Sequence, residues 1–247
     1  MVSIDAANYT FVVSGTEIEG ENEQGDDVQY PWEGEPTRHH KHVIDIKKFY
    51  LDKTPVTNEQ YNQFMNDTKY SPVDNHNFLR DWHQGHYLDG WAHKPVTWVS
   101  MDDARAYCRW AGKRLPHEWE WQYAAQGHDQ RKYPWGHIFD ASRVPPPVTG
   151  RDLTPPADVT LYTNGSSPFG VLHAVGNVWQ WTDEYVDDHT RYAVLRGGSY
   201  YHAQGSMWYF PSNETRYTLD LHNKYLLMAP SLDRAATLGF RCAADSQ

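Results

Sequence analysis

The segment VLRGGSYYHAQGSMWYF, residues 194–210, concentrates side chains that could do chemistry. An Arg-Gly-Gly turn leads into a run of Tyr, His, Met and Trp, without an acidic residue and with two serines as its only nucleophiles. Aromatic side chains supply large, rigid contact surfaces with polar ends, in a core or at a binding face. A reaction centre, a recognition surface and a packed sheet edge therefore all remain open for this segment.

A second candidate site is rich in histidine. His83 and His86 are three residues apart in the segment 74–95, which also carries His76 and His93. Imidazoles bind iron, copper and zinc, so His83 and His86 are a candidate metal pair. Gly, Asp and Asn surround them, which indicates a loop, and loop histidines without a carboxylate partner are usually polar surface. We favour the surface interpretation and keep the metal pair as its alternative.

Composition limits the classes of function. The net charge of −10 argues against nucleic-acid binding, because such proteins present basic surfaces. No apolar run approaches the roughly 20 residues of a membrane span, and the N-terminus lacks the pattern of a signal peptide. No nucleotide-binding, serine-hydrolase or zinc-protease motif occurs, so no catalytic residue is assigned. Cys108 and Cys242 are either a disulfide or two buried thiols, and composition alone favours thiols.

The elements that must position these side chains can be predicted from periodicity and capping. Apolar alternation over residues 43–51 predicts a strand, and Thr57 predicts the start of a helix through residue 67. Ser100 begins a second helix that Gly112 ends, and a third helix lies between Pro116 and Gly127.

From about residue 128 the chain is rich in Pro, Gly and Asn, which predicts loops with short strands at 194–200 and 237–243. Arg196 and Arg241 could each pair with a carboxylate, and Gly176 and Asn177 suit positive φ. We predict one α+β domain over residues 1–247, with about three helices and a small antiparallel sheet. Its residues 1–37 form a strand and an acidic loop.

Three ordered segments carry a family resemblance: YCRWAGKRLPHEWEWQYAAQG (107–127), VGNVWQWTDEY (175–185), and LRGGSY with LGFRCAAD (195–245). With FYLDKTPVTNEQYNQF and KPVTWVS upstream, they resemble the formylglycine-generating enzyme or sulfatase-modifying-factor family from about residue 38 to the C-terminus. The resemblance implies an irregular, loop-rich C-type-lectin-like fold. It also implies a Cys108–Cys242 disulfide, which favours a secreted, periplasmic or secretory-pathway location.

The resemblance implies metal sites that this sequence has altered. The family's oxidases bind copper through two cysteines shortly after RGGSY, and His202 and Met207 stand at those positions here. Formylglycine generation is therefore not expected, and copper at His202 and Met207 is a minor alternative. The residues at the family's calcium positions are His173, Gly176, Val178 and Gln180, and the loss of a carboxylate argues against tight calcium binding.

These points lead to a function by binding. The resemblance implies a groove for a peptide, protein or glycan, which we expect these residues to line: Trp179, Arg196, Tyr200, Tyr201, His202, Met207, Trp208 and Tyr209. The alternatives are an iron or copper oxidoreductase of the same family with histidine ligands, and a structural or accessory domain of a larger protein.

Overall fold

The computed structural model describes residues 1–17, 28–149, 154–185, 192–202, 218–226 and 234–246. Within these ranges, three α-helices and twelve short strands are joined by long loops. This confirms the predicted α+β class. None of the helices in the described ranges has the length and apolar character needed to cross a bilayer.

The helices begin and end where capping residues predict. Helix α1 spans Asn58–Thr68 and α2 spans Met101–Trp110, with capping boxes at Thr57 and Ser100. Helix α3 spans Glu118–Gln126, immediately before Gly127. All three predicted helices are thus confirmed.

The strands are short and form several small sheets. They are β1 (Val2–Ile4), β2 (Ala7–Val13), β3 (Gly15–Glu17), β4 (His40–Ile46), β5 (Phe49–Leu51), β6 (Val148–Thr149), β7 (Trp179–Tyr185), β8 (Tyr192–Arg196), β9 (Tyr201–His202), β10 (Leu221–Leu226), β11 (Leu238–Gly239) and β12 (Ala243–Asp245). Their orders are β1-β5-β12, β11-β7-β8-β10-β3, β2-β4 and β6-β9. The pairs β10–β3, β11–β7 and β6–β9 are parallel, so the arrangement is less uniform than one antiparallel sheet.

Two predicted strands are interrupted. The strand predicted over 43–51 is split by Lys47 and Lys48, which are both exposed, into β4 and β5. The segment predicted as a strand over 194–200 leaves the sheet at Gly197, where φ is 99°. A positive φ is accessible to glycine at low cost and ends the strand there.

The hydrophobic core has two parts that meet at β7 and α3. One part packs the β2–β4 ribbon against α3, and Phe11 and Trp121 are among its buried residues. The other joins α1, α2, β7 and β8, with Tyr61, Trp181 and Phe240 at its centre. Helix α3 belongs to the first part and β7 to the second, and a hydrogen bond from Trp121 to Gln180 joins them.

A disulfide ties α2 to the end of the chain. Cys108 and Cys242 are bonded, with 5.7 Å between their Cα atoms and a sequence separation of 134. Closing a loop of this length in the unfolded chain contributes about 4–5 kcal/mol in the chain-entropy model. The disulfide implied by the family resemblance is confirmed.

Candidate functional site

Gln180 closes the turn that precedes β7. Its buried Oε1 accepts hydrogen bonds from Trp121 Nε1 at 2.9 Å and from Arg241 Nε at 2.6 Å. Its Nε2 donates to the carbonyls of His173 and Ala174 at 2.9 and 3.2 Å. An amide has two donors and two acceptor positions, so Gln180 has none left for a ligand.

Arg241 is fully buried and bonds to the backbone. Its Nη2 donates to the carbonyls of Leu172 and His173 at 2.8 and 2.9 Å, and its Nη1 donates to that of Asp52 at 3.0 Å. Burial lowers the pKa of the guanidinium to about 9, although the Asp52 charge opposes the shift. The expectation of a carboxylate partner was wrong for Arg241, because carbonyls and the Gln180 amide satisfy its donors.

His173 is a neutral buried ring. Its Nε2 lies 2.9 Å from the Leu161 carbonyl, and its Nδ1 lies 3.2 Å from Nδ2 of Asn177. A carbonyl only accepts and an amide nitrogen only donates, so the proton is on Nε2. Burial, together with the charge of Arg241, lowers the pKa of His173 to about 4. His173 and Gly176 adopt positive φ here, whereas the prediction had named Gly176 and Asn177.

Glu118, at the start of α3, organises a buried charged cluster. Its carboxylate accepts from Arg196 Nη1 at 2.9 Å, from His222 Nδ1 at 2.6 Å and from the Tyr30 hydroxyl. Burial alone would raise the pKa of Glu118, but the His222 ring and the Arg196 guanidinium outweigh it and lower the pKa to about 2. The predicted carboxylate partner of Arg196 is therefore Glu118.

Part of the predicted groove lies inside the protein. Trp179, Arg196 and Tyr200 are 2%, 0% and 3% exposed, so these side chains form the support of the surface. The Tyr200 hydroxyl donates to the Thr154 carbonyl, and burial raises the pKa of Tyr200. The family resemblance implied that they line an open groove, but consecutive residues of β7 and β8 are buried, so both faces of these strands are covered and Trp179 and Arg196 lie inside.

Tyr201 is half-buried on β9, at the edge of this support. The side chain of His202 lies outside the described part of the structure. So do Met207, Trp208 and Tyr209. Where these four groove residues point is still a prediction.

A polar cluster next to Tyr200 carries no signal in the sequence. Trp98 has φ of 58° and donates from Nε1 to Asp81 at 2.7 Å, while the Arg80 guanidinium lies 5.1 Å from its ring. Burial raises the pKa of Asp81, and the Asp81 charge adds to the raised pKa of Tyr200. No local sequence pattern marks a tryptophan for left-handed backbone, so only the three-dimensional structure brings these residues together.

The two candidate metal histidines are neighbours in space. His83 and His86 are both exposed and lie opposite each other in a tight turn. In the described ranges, no group of three or more His, Cys, Asp or Glu residues is arranged to hold a metal ion.

The residues present do not fit the family's copper site. That site needs two thiolates, and the two cysteines of the sequence are joined to each other.

The calcium positions do not fit either. Gly176 and Val178 offer only backbone oxygens, and no carboxylate stands at any of the four positions. The His173 ring and the Gln180 amide have all their hydrogen-bonding atoms engaged by the protein. A hard cation binds to charged and carbonyl oxygens, so this turn is held by protein groups instead.

A family model, a curated relative and a solved structure all relate this chain to the same family or fold. The family model of the sulfatase-modifying factor enzyme 1-like domain matches residues 5–246. The inactive C-alpha-formylglycine-generating enzyme 2 of Bos taurus is 30% identical over 249 residues, which cover 81% of this chain and 78% of that protein. The PvdO structure from Pseudomonas aeruginosa superimposes with a TM-score of 0.63 at 19% identity, covering 99% of this chain and 93% of PvdO.

Other relatives are longer than this chain. Hercynine oxygenase of Mycolicibacterium smegmatis is 28% identical over 219 residues, 66% of this chain and 48% of that enzyme. The uncharacterized protein YfmG of Bacillus subtilis is 29% identical over 215 residues, 68% of this chain and 42% of YfmG. The chain thus spans less than half the length of these two proteins.

Proposed function

Because the chain belongs to the sulfatase-modifying factor enzyme family, we propose that it is a ligand-binding member that does not generate formylglycine. The observation that carries this proposal is the Cys108–Cys242 disulfide. The sequence has two cysteines, and neither is free. Copper-thiolate oxidation needs a thiolate to hold the metal, and this chain has no thiol to supply it.

The ligand of this proposal is a peptide that lies across the surface around Tyr201. Tyr201 is half-buried on β9, which pairs with β6, and it directly follows the buried Tyr200, so its backbone rests on a fixed support. The residues that follow it include Trp208 and Tyr209, and tyrosine and tryptophan are enriched among residues that dominate protein–ligand contacts. The similarity to the bovine protein described as inactive supports the proposal, because that relative is a family member without formylglycine-generating activity.

The proposed lack of formylglycine generation is tested with a cysteine-containing peptide. The oxidised chain is incubated with the peptide, copper and oxygen, and aldehyde is measured by mass spectrometry. A formylglycine-generating enzyme assayed in parallel is the positive control. We expect no aldehyde from this chain, and turnover at a rate comparable to the control would refute the proposal.

The binding half is tested on peptide arrays, with glycan arrays in parallel. The wild type is compared with Tyr201→Ala and with a matched control, Tyr50→Ala, which removes an exposed tyrosine from β5. For a captured peptide, we expect Tyr201→Ala to weaken binding by about tenfold or more and Tyr50→Ala to leave it unchanged. Equal losses in both variants, or capture of glycans alone, would contradict peptide binding at Tyr201.

A second candidate function rests on the similarity to hercynine oxygenase. In this alternative the chain is an iron- or copper-dependent oxidoreductase that uses histidine ligands. Protein purified without chelators is analysed for metals, and activity with hercynine is assayed. Stoichiometric iron or copper with turnover would favour the oxidoreductase over the binding protein.

We further propose that the chain folds in an oxidising compartment. Structural disulfides persist in secreted, periplasmic and secretory-pathway proteins and are rare in reducing cytosol. Fractionation of the native host followed by thiol labelling tests this. Reduced Cys108 and Cys242 in a cytosolic fraction would contradict it.

A further inference from the structure

His83–His86 forms a two-residue β-hairpin with a closed hydrogen-bonded pair at its end. His83 N–H donates to the His86 carbonyl at 2.8 Å, and His86 N–H donates to the His83 carbonyl at 3.0 Å. Between them, Gln84 and Gly85 have φ of 52° and 82°. Two consecutive positive φ values define a type I′ turn, which matches the twist of the flanking strands.

This pairing places the two imidazoles on one face of the hairpin. Residues directly opposite each other in an antiparallel pair point to the same side, with Cα atoms about 5.5 Å apart when they exchange both hydrogen bonds. His83 and His86 are such a pair.

The neighbouring pair shows which side that is. Trp82 and Tyr87 come next along the hairpin, and their rings pack edge to face with 5.6 Å between the ring centroids. Trp82 Nε1 donates to Asn58 Oδ1 at 2.9 Å, so this pair faces α1. Successive side chains alternate between faces, so the histidines point away from the body of the protein. Both are exposed, in agreement with this alternation.

We propose that His83 and His86 together chelate a divalent transition metal ion, such as Ni²⁺, Cu²⁺ or Zn²⁺, at the tip of this hairpin. Neutral imidazole suits these ions, and the rigid turn holds the two ligands on one side before the metal arrives. Water completes the coordination sphere, so the site exchanges metal with solvent. This proposal rests on the hairpin alone and does not depend on the proposed peptide binding.

A nearby carboxylate favours a bound cation at the hairpin tip. The half-buried Asp81 carboxylate lies two residues before His83 and is close enough for their charges to interact. Asp81 accepts from Trp98, and Arg80 lies against the Trp98 ring. The Arg80 charge also acts on the Asp81 carboxylate.

The test is calorimetric titration of the full chain with NiCl₂, together with paramagnetic resonance of one equivalent of Cu²⁺. We expect binding in the micromolar range with nitrogen coordination from two imidazoles. His83→Ala and His86→Ala are each expected to weaken Ni²⁺ binding by about tenfold or more, because chelation becomes single-point attachment. His93→Ala, which removes a histidine with a 61% exposed side chain, is the matched control and should bind as the wild type does.

A second variant separates the hairpin geometry from the histidines themselves. Gly85 has φ of 82° and open space around it, so Gly85→Ala strains the turn without a steric clash. We expect roughly fivefold weaker Ni²⁺ binding with both histidines present. Unchanged affinity in His83→Ala and His86→Ala, or an equal loss in His93→Ala, would overturn the proposal. Melting curves in EDTA check that every variant folds.

Discussion

At the scale of single residues, Glu118 gathers hydrogen bonds from segments that are far apart in the chain. Arg196 lies 78 residues away and His222 lies 104 residues away, and all three side chains are buried. A buried charge without a partner lowers the stability of the folded state, so Glu118 and Arg196 each need the other. This is a stronger constraint than the aromatic contacts of the same region, which can be repacked.

We expect Glu118→Gln to lower the free energy of unfolding by about 3–5 kcal/mol at pH 7, because Arg196 stays buried without a carboxylate. Urea denaturation followed by tryptophan fluorescence measures the change. Glu35→Gln, on the exposed surface, is the control and should cost less than about 0.5 kcal/mol. A comparable loss in both variants would show that the Glu118 network has no special role.

The pH dependence of stability has a separate residue-scale origin in His173. Its pKa in the folded state is about 4, below the ordinary value of about 6.5, so the unfolded chain takes up the proton first. The contribution is complete above about pH 6.5 and is lost as the pH falls towards 4, by up to about 3 kcal/mol. Glu118 acts lower, between its ordinary pKa of about 4.3 and its folded pKa of about 2.

His173→Asn should remove the upper part of this acid sensitivity. Asparagine tolerates the left-handed backbone of this position, where φ is 50°, and does not titrate. We expect the stability of the variant to change less than that of the wild type between pH 6.5 and 4. The free energy of unfolding at five or six pH values gives the comparison, and parallel curves for both proteins would contradict the assignment.

At the scale of elements, the β7–β8 region depends on a close approach at Gly197. A Cβ atom at this position would lie 2.3 Å from the Ala174 carbonyl oxygen, and φ is 99°. We expect Gly197→Ala to destabilise the protein by about 2–4 kcal/mol.

Gly90→Ala is the matched control for Gly197→Ala. Gly90 has φ of 81°, and a Cβ atom added there would have no neighbour within 4 Å, so only backbone strain of about 1–2 kcal/mol is expected. Thermal unfolding measures both variants. Equal shifts would show that the contact with Ala174 carries no cost of its own.

Helices were predictable because their signals are local. Thr57 and Ser100 cap α1 and α2 through residues only three positions away. The partners in the site are non-local: Gln180 bonds to Arg241 from 61 residues away, and Trp98 bonds to Asp81 through a strained backbone. Sequence patterns report which face is apolar, but they do not report which charged residues meet inside. The burial of Arg196 was missed for that reason.

At the scale of the whole molecule, the Cys108–Cys242 disulfide is the main covalent constraint on stability. We expect the double variant Cys108→Ala, Cys242→Ala to lose about 4–5 kcal/mol of unfolding free energy, because the long loop is no longer closed in the unfolded chain. Guanidinium denaturation of the variant is compared with that of the wild type. The reduced wild type should lose a similar amount, and a loss below about 1 kcal/mol in both would contradict the loop-closure account.

The same disulfide also determines how the molecule responds to a pulling force. Tension between the two termini passes from Cys108 to Cys242 through the sulfur atoms, so the residues between them carry no load. A chain segment with a sequence separation of 134 spans about 450 Å when it is fully extended, and the intact disulfide prevents this length from being pulled out. The surface around Tyr201 lies inside this protected loop, whereas His83 and His86 lie on the loaded path. Stretching would therefore pull the histidine hairpin apart directly, whereas the segment that carries Tyr201 would bear no tension until the disulfide is reduced.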